Sequence, residues 1–164
     1  MIRKLVVDHR LLSLRGRMTV REQSDRLVYE AAASGLLFPT WHVAWFGQPV
    51  ATIRRRYLSL SPAWALRYAE TTALVRLRRL APGSHFEVCG GPHDGAGLRR
   101  QFGSDAFHLV HRDETLALAR HARTGLWPPG LEVEIFDASP TDELFAVLMM
   151  IVARLDMVRG PMKQ

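Results

Sequence analysis

The residues best suited to chemistry in this sequence are arginines, and they cluster in the middle of the chain. A guanidinium group can bind a phosphate through two parallel hydrogen bonds, so clustered arginines are candidates for binding an anionic ligand. The candidate patch consists of five residues, which are Arg54, Arg55, Arg56, Arg76 and Arg78. Arg76 and Arg78 alternate along a predicted strand and therefore share one of its faces. The neighbouring pair at positions 99 and 100 extends the arginine-rich stretch.

Two alternatives to a phosphate-binding patch stay open for the basic residues. The chain has 164 residues and a formal net charge of +6, and all its basic side chains except Lys4 and Lys163 are arginines. A coding bias produces the same usage, and basic runs on a solvated surface keep a protein soluble. The positive charge also permits non-specific nucleic-acid binding, but the sequence contains no motif for it, so no specific nucleic acid is expected.

The histidines and the single cysteine do not form a metal-binding pattern. His108 and His111 are three positions apart on a predicted strand and so point to opposite faces. His85 and Cys89 share a face, but they lack the two further ligands of a zinc site. We therefore predict no metal and no cofactor. Cys89 has no disulfide partner and no signal peptide is evident, which favours a cytoplasmic location.

No catalytic motif is present either. The glycine-rich segment Gly90 to Gly97 is not followed by the Lys-Ser/Thr pair of a phosphate-binding loop, so it is predicted to be a hairpin loop. The His93-Asp94 pair within it is typical of a turn. The Gly-x-Ser-x-Gly motif of a nucleophile is missing. We predict no catalytic residues and a protein that is not an enzyme.

The longest apolar run lies near the C-terminus and predicts one helix over about residues 140–158. Ser139 can cap its start, and Pro140 suits the first helical position. From Leu144 to Ala153 there is no polar side chain, so the helix must be enclosed on all sides. Because the run is about half the length that crosses a bilayer, we predict no transmembrane segment and an enclosure made of protein.

The rest of the chain is predicted to form short strands joined by tight turns. The predicted strands are Leu5 to His9, Arg17 to Glu22, Arg26 to Glu30, His42 to Phe46, Val50 to Leu58, Trp64 to Ala69, Ala73 to Leu80, His85 to Cys89, Ala106 to His111, Thr115 to His121 and Leu131 to Phe136. The segment Ala31 to Leu37 stays ambiguous, since its composition also suits a helical turn.

An internal repeat supports the strand assignment. His9 to Val20 aligns without gaps on Arg55 to Leu66, and a weaker third copy lies between Ala117 and Val133. A repeated strand-turn-strand unit is typical of a closed sheet. We predict a single domain, residues 1–164, that is mainly β: a closed antiparallel barrel, over about residues 4–136, wrapped around the central C-terminal helix.

The predicted barrel assigns one set of apolar residues to its interior. These residues are Val6, Val20, Val28, Val43, Ile53, Leu66, Val75, Val88, Leu109 and Leu118. The four tryptophans fall at strand ends or turns and are predicted to close the ends of the barrel.

The chain resembles the LURP-one-related proteins of the tubby C-terminal-like superfamily. The resemblance rests on segments in the same order, which are Leu11-Leu12-Ser13-Leu14 with Met18-Thr19-Val20, Ala51-Thr52-Ile53-Arg54 to Leu58-Ser59, Ala119-Arg120-His121 and Leu155-Asp156-Met157. It implies a closed antiparallel barrel of about twelve strands around a central hydrophobic C-terminal helix, a fold related to that of phospholipid scramblases. It also implies an anionic phospholipid or phosphoinositide headgroup as the ligand of the arginine patch.

These observations favour a non-enzymatic binding or scaffold module in the cytoplasm or peripheral to a membrane, with an unknown protein partner. The alternative is a small-molecule binder or enzyme with a site at a barrel mouth. That site would lie near Trp64, Trp127 and the Gly90 to Gly97 loop.

Overall fold

Alternating apolar residues and short turns produce twelve strands in this chain, followed by one helix. A computed structural model describes residues 1–10, 16–58, 60–80, 83–100, 106–122, 130–136 and 138–159. The elements are β1 Ile2–Arg10, β2 Arg17–Glu22, β3 Leu27–Ser34, β4 Thr40–Trp45, β5 Gln48–Arg56, β6 Ala63–Tyr68, β7 Thr71–Leu80, β8 Gly83–Cys89, β9 Gly97–Arg100, β10 Ala106–His111, β11 Glu114–His121, β12 Leu131–Phe136 and α1 Pro140–Arg159.

The strands form a closed antiparallel barrel in which each strand pairs with its neighbours in sequence. The first strand closes the barrel against the last, with Leu5 opposite Val133 in the register of β1 and β12. Closure pairs the backbone of every strand on both sides and leaves no edge to template aggregation. The predicted barrel of about twelve strands is confirmed.

Helix α1 occupies the centre of the core inside this barrel. Every side chain from Phe145 to Leu155 is buried. The strands alone could not fill the interior, because a barrel of about eight strands is already the size that inward side chains can fill. A helix is about 10–12 Å wide with its side chains. The absence of a polar face between Leu144 and Ala153 therefore follows from the position of the helix at the barrel centre.

The start of α1 is fixed by the cap predicted from the sequence. The Ser139 hydroxyl oxygen accepts a hydrogen bond from the Asp142 backbone N–H at 3.2 Å. In return, the Asp142 carboxylate accepts bonds from the Ser139 backbone N–H at 3.1 Å and hydroxyl at 2.7 Å. This reciprocal arrangement satisfies backbone donors that have no partner within the helix.

The antiparallel course of the chain gives the barrel two distinct ends. The upper end is the one at which α1 begins, and it carries the connections β2–β3, β4–β5, β6–β7, β8–β9 and β10–β11. The lower end is the one at which α1 ends, and it carries β3–β4 and β5–β6 among its connections. Each copy of the sequence repeat covers a strand, a connection at the lower end and the next strand: β1–β2, β5–β6 and β11–β12.

Most of the predicted interior is confirmed, but two assignments are wrong by one residue. Eight of the ten predicted residues are buried, whereas Val6 and Leu118 are only partly buried. Val6 lies opposite Glu132 in the register, so the inward positions of β1 are Leu5 and Val7. In β11 the inward residues are Ala117 and Ala119. Their small side chains leave room for α1, which contacts this strand.

One strand and one residue differ from the prediction, and one segment that the sequence left ambiguous is now assigned. Strand β9, Gly97–Arg100, was not predicted, since it has four residues and no β-branched side chain. The ambiguous segment after Glu30 continues as strand up to Ser34. Cys89 ends an apolar strand, which favours a core position, but it is only partly buried and lies opposite Leu74 on the outer surface.

Candidate functional site

The arginines are distributed unevenly around the barrel. Strands β5 to β10 contain nine arginines and a single acidic residue, Glu87. The other six strands contain six basic and six acidic residues. We call the outer surface of β5 to β10 the arginine side. The net charge of the strands therefore resides on one side of the barrel.

The register brings two of the predicted arginines close together. Arg56 lies opposite Ala63, and Ala63 lies opposite Arg76, so both arginines flank one alanine on the outer surface. Two strand spacings separate their backbones by about 10 Å. Ala63 is only 1% exposed although it lies on this outer surface. Arg54 is exposed two residues further up β5 than Arg56, opposite Ala65.

Arg78 belongs to a second row that runs across four strands. It lies opposite His85, which lies opposite Arg99, and Arg99 lies opposite His108. Because directly opposed residues in antiparallel strands share a face, all four side chains lie on the outer surface. Arg78 also forms an ion pair with Glu87. This row adds Arg99 to the predicted patch.

Arg55 is separated from the other four residues of the predicted patch. It lies opposite the buried Trp64, so it belongs to the inward positions at the lower end. Its guanidinium group lies 5.8 Å from the centroid of the Trp64 ring and 5.5 Å from that of Tyr57. Such contacts hold a cation against aromatic faces. Arg55 therefore contributes positive charge at the rim and not on the arginine side.

Several exposed arginines on the arginine side have no acidic partner. Among the described residues, no ion pair involves Arg54, Arg56, Arg67, Arg76 or Arg99. On the other side, Lys4 pairs with Glu134 at 3.6 Å and Arg17 pairs with Glu30. The two sides thus differ in their pairing as well as in their charge.

A buried arginine adds to the charge at the lower end. Arg154, in the last third of α1, is 1% exposed, and its Nε and Nη2 atoms have no hydrogen-bond partner. Burial lowers the pKa of Arg154, and the negative charge of Asp8 opposes that shift. The sequence reasoning did not select this residue, because it directly follows the apolar run and resembles an ordinary helix terminus.

A polar chain of hydrogen bonds lies at the upper end, beside the start of α1. The Tyr68 hydroxyl is 2.8 Å from Nδ1 of His93, and Nε2 of His93 is 2.7 Å from Oδ1 of Asp142. A neutral imidazole carries one ring proton, and the carboxylate of Asp142 can only accept it, so the proton lies on Nε2. Nδ1 then accepts a hydrogen bond from the Tyr68 hydroxyl. The His93 ring stacks on Phe145 with a centroid distance of 4.0 Å.

The pKa values of these three residues depart from their ordinary values. Burial lowers the pKa of His93, and it outweighs the opposite effect of Asp142. Burial acts to raise the pKa of Asp142, but hydrogen bonds from His93 and Ser139 outweigh it and the pKa is lowered. Burial and the charge of Asp142 raise the pKa of Tyr68 to about 12. The hydrogen-bonded group therefore contains a neutral histidine, His93, bonded to an ionised carboxylate, Asp142.

The same region borders an open cleft of about 500 Å³. His93, His111, Arg112, Thr141 and Asp142 are among its lining residues. Ser139 also lines the cleft, but its hydroxyl is bonded to the Asp142 carboxylate and not to an imidazole base. The geometry thus gives Ser139 no base; the hydroxyl that does meet the imidazole is that of Tyr68, which is buried and has a raised pKa. What it provides is a binding surface with charges of both signs.

Other predicted features occupy separate parts of the barrel. Trp64 is buried at the lower end, whereas the Gly90 to Gly97 segment connects β8 and β9 at the upper end, so they cannot line one mouth. Trp127 lies outside the described residues. In the hairpin loop, Asp94 accepts a hydrogen bond from the Gly90 N–H at 2.7 Å, which is the predicted turn chemistry. His93 was assigned to the same turn, and nothing in the sequence links it to Asp142, 49 positions away.

No group of three or more metal-binding side chains converges anywhere in the described part of the chain. Among the same residues, none of the helical structure is both long and apolar enough to cross a membrane. The chain matches no protein-family model, no curated protein and no solved structure.

Proposed function

We propose that the protein is a non-enzymatic binding module whose arginine side binds anionic phospholipid headgroups at a membrane surface. The observation that carries this proposal is the set of five exposed arginines without ion-pair partners on strands that contain one acidic residue. Unpaired guanidinium groups are available for phosphate oxygens, which they bind in a bidentate manner. The proposal places the protein in the cytoplasm and peripheral to the membrane.

The arginine side can contribute a substantial part of the free energy of binding to an anionic membrane. Each basic residue near an anionic membrane contributes about 1 kcal/mol of binding free energy. Arg56 and Arg76 flank Ala63, and Arg78 and Arg99 flank His85, so each pair can contact headgroups within one patch. The resemblance to the LURP-one-related proteins implies the same class of ligand and agrees with this proposal.

Charge reversal on the two sides of the barrel tests the proposal. Cosedimentation would be measured with vesicles of phosphatidylcholine, with and without phosphatidylserine. Arg76→Glu with Arg78→Glu is expected to weaken binding to the anionic vesicles by at least about 30-fold, since two favourable contributions are lost. Lys4→Glu with Arg120→Glu is the matched control, because it makes the same change in charge and also breaks one surface ion pair.

Two outcomes would contradict the proposal. Equal binding by the two double variants would show that the position of the arginines does not matter. Retention of nucleic acid at the salt concentration at which vesicles are not bound would assign the charge to nucleic acid instead, with the salt dependence expected of phosphate contacts.

A second candidate function is small-molecule binding in the cleft at the upper end. The observation that favours it is a hydrogen-bonded set of three groups with displaced pKa values, in which His93 and Asp142 line the concave surface and the buried Tyr68 bonds to His93. A ligand of the cleft would raise the melting temperature of the protein. That increase should disappear in Arg112→Glu and persist in Arg67→Glu, which changes an arginine outside the cleft.

A further inference from the structure

The lower end of the barrel carries large apolar side chains that the protein does not cover. In the β3–β4 loop, Leu36 is 101% exposed, Leu37 82% and Phe38 56%. In the β5–β6 loop, Leu58 is 104% exposed and Leu60 111%. Single exposed apolar residues are common, but a contiguous group of this kind marks a surface for a partner or a membrane.

The two loops form one surface. The rings of Phe38 and Tyr57 are in edge-to-face contact with a centroid distance of 4.9 Å. Strands β4 and β5 are paired, so the loops that lie before β4 and after β5 are neighbours at the rim. We call residues 35–39, 57–58 and 60–62 the apolar loops. Neither contains a charged residue.

Basic side chains border the apolar loops directly. Arg54, Arg55 and Arg56 precede the second loop, and the guanidinium group of Arg55 lies 5.5 Å from the ring centroid of Tyr57. Apolar tips bordered by arginines match the layers of a bilayer interface, where acyl chains lie beneath phosphate groups. Aromatic residues such as Tyr57 are favoured at the boundary between these layers.

The same charges argue against a second copy of this chain as the occupant. If two lower ends met, their Arg54 to Arg56 segments would be brought together, and like charges that face each other across an interface are costly. An anionic membrane offers the opposite charge. Charge complementarity therefore selects the bilayer among the surfaces that could cover the apolar loops.

We propose that the apolar loops insert into the interface of an anionic phospholipid bilayer, so that the barrel docks by its lower end. This inference rests on the proposed function, which supplies the headgroup contacts, and adds a contact with the acyl chains. Leu58 and Leu60 leave water on docking, while the arginine side faces the headgroups beside the inserted loops.

Serine substitutions in the apolar loops test the insertion without changing charge. Leu58→Ser with Leu60→Ser is expected to lower the partition coefficient on phosphatidylcholine–phosphatidylserine vesicles by about tenfold for each leucine. Ile2→Ser with Phe46→Ser is the matched control, since both residues are exposed at the upper end. This control should bind like the unmodified protein, and both variants should keep its melting temperature.

The outcomes separate the two proposals. If the Leu58 and Leu60 variant binds normally while Arg76→Glu with Arg78→Glu does not, insertion is overturned and headgroup binding stands. If neither variant changes vesicle binding, or the unmodified protein does not bind, both proposals fail. An oligomer in the absence of vesicles that the serine variant dissociates would assign the apolar loops to a second copy and overturn insertion.

Discussion

The described parts of the two ends of the barrel differ in charge and polarity. The described turns at the upper end contain one exposed aromatic residue, Phe46, and four acidic residues, which are Asp25, Glu70, Asp94 and Asp113. The apolar loops at the lower end contain no charged residue and expose leucines. Among the described residues, buried hydrogen bonds lie where the helix enters the barrel, and exposed leucines lie where it ends. The hydrogen bonds position the helix, and the exposed leucines are the residues that we propose to insert into a membrane.

The helix explains why the upper end needs polar contacts. A helix start leaves backbone donors without partners, and an apolar helix carries few polar groups that could fix its depth in a barrel. Glu143 accepts a hydrogen bond from Tyr29 at 2.9 Å and pairs with Arg3 at 2.9 Å, while Asp142 bonds to His93. These bonds join the first turn of α1 to three parts of the barrel. The other end of α1 instead packs Leu155 beside Trp41 and Trp64.

The largest expected effect comes from placing a charge on the part of α1 between the two ends. Leu148 is fully buried and its neighbours one turn away, Leu144 and Val152, are apolar, so Leu148→Asp would bury a carboxylate with no partner on the helix. We expect a loss of about 5 kcal/mol or more, which is comparable with the whole stability of a domain and prevents folding. Leu148→Met, which conserves volume, should cost less than about 1.5 kcal/mol. Circular dichroism during thermal unfolding distinguishes them, and a folded Leu148→Asp would show that the helix is not enclosed.

A smaller effect is expected from the upper end alone. His93→Leu removes the acceptor of Tyr68 and a donor to Asp142, which should lower the free energy of unfolding by about 1–3 kcal/mol. Urea unfolding measures this loss, and His42→Leu, which removes only an exposed hydrogen bond to Ser34, should change stability by less than about 1 kcal/mol. Vesicle binding by His93→Leu should be unchanged. Reduced vesicle binding by a folded His93→Leu would mean that the two ends do not have separate roles.

The smallest effect is a dependence of stability on pH that originates at the upper end. The pKa of His93 is lowered in the folded protein, so the unfolded chain binds this proton first as the pH falls. Stability from this residue is therefore complete above about pH 6.5 and decreases below it, by at most about 1.4 kcal/mol per pH unit. Asp142, whose pKa is also lowered, loses its contribution only at pH values below its ordinary 3.8. Urea unfolding between about pH 5 and 7 should therefore report His93, and this part of the slope should be absent in His93→Leu. An unchanged slope in that variant would assign it to other groups.

The sequence predicts the fold well because the fold depends on patterns between neighbouring residues. The apolar run from Leu144 to Ala153 requires an enclosure, and the alternating strands supply one. The alternation of apolar and polar residues cannot predict which side chains face inward where both faces of a strand are apolar, as at Leu5, Val6 and Val7. It also misleads in β11, where alanines and not Leu118 face the helix.

The candidate site is less predictable because it depends on residues that are distant in sequence. Alternation correctly places Arg76 and Arg78 together, and it also implies that Arg55 points away from Arg54 and Arg56. The opposition of Arg99 to His85 depends on the missed strand β9. The bond between His93 and Asp142 depends on the depth of the helix in the barrel, which no local pattern encodes.

The most direct test of the difference between the two ends is the depth that each reaches in a bilayer. Leu58→Trp and Phe46→Trp place an added tryptophan at the lower and upper end, respectively, and quenching by brominated acyl chains is compared with that of the unmodified protein. On anionic vesicles we predict additional quenching for Leu58→Trp and none for Phe46→Trp. Equal quenching of the two variants, or quenching of Phe46→Trp alone, would contradict docking by the lower end.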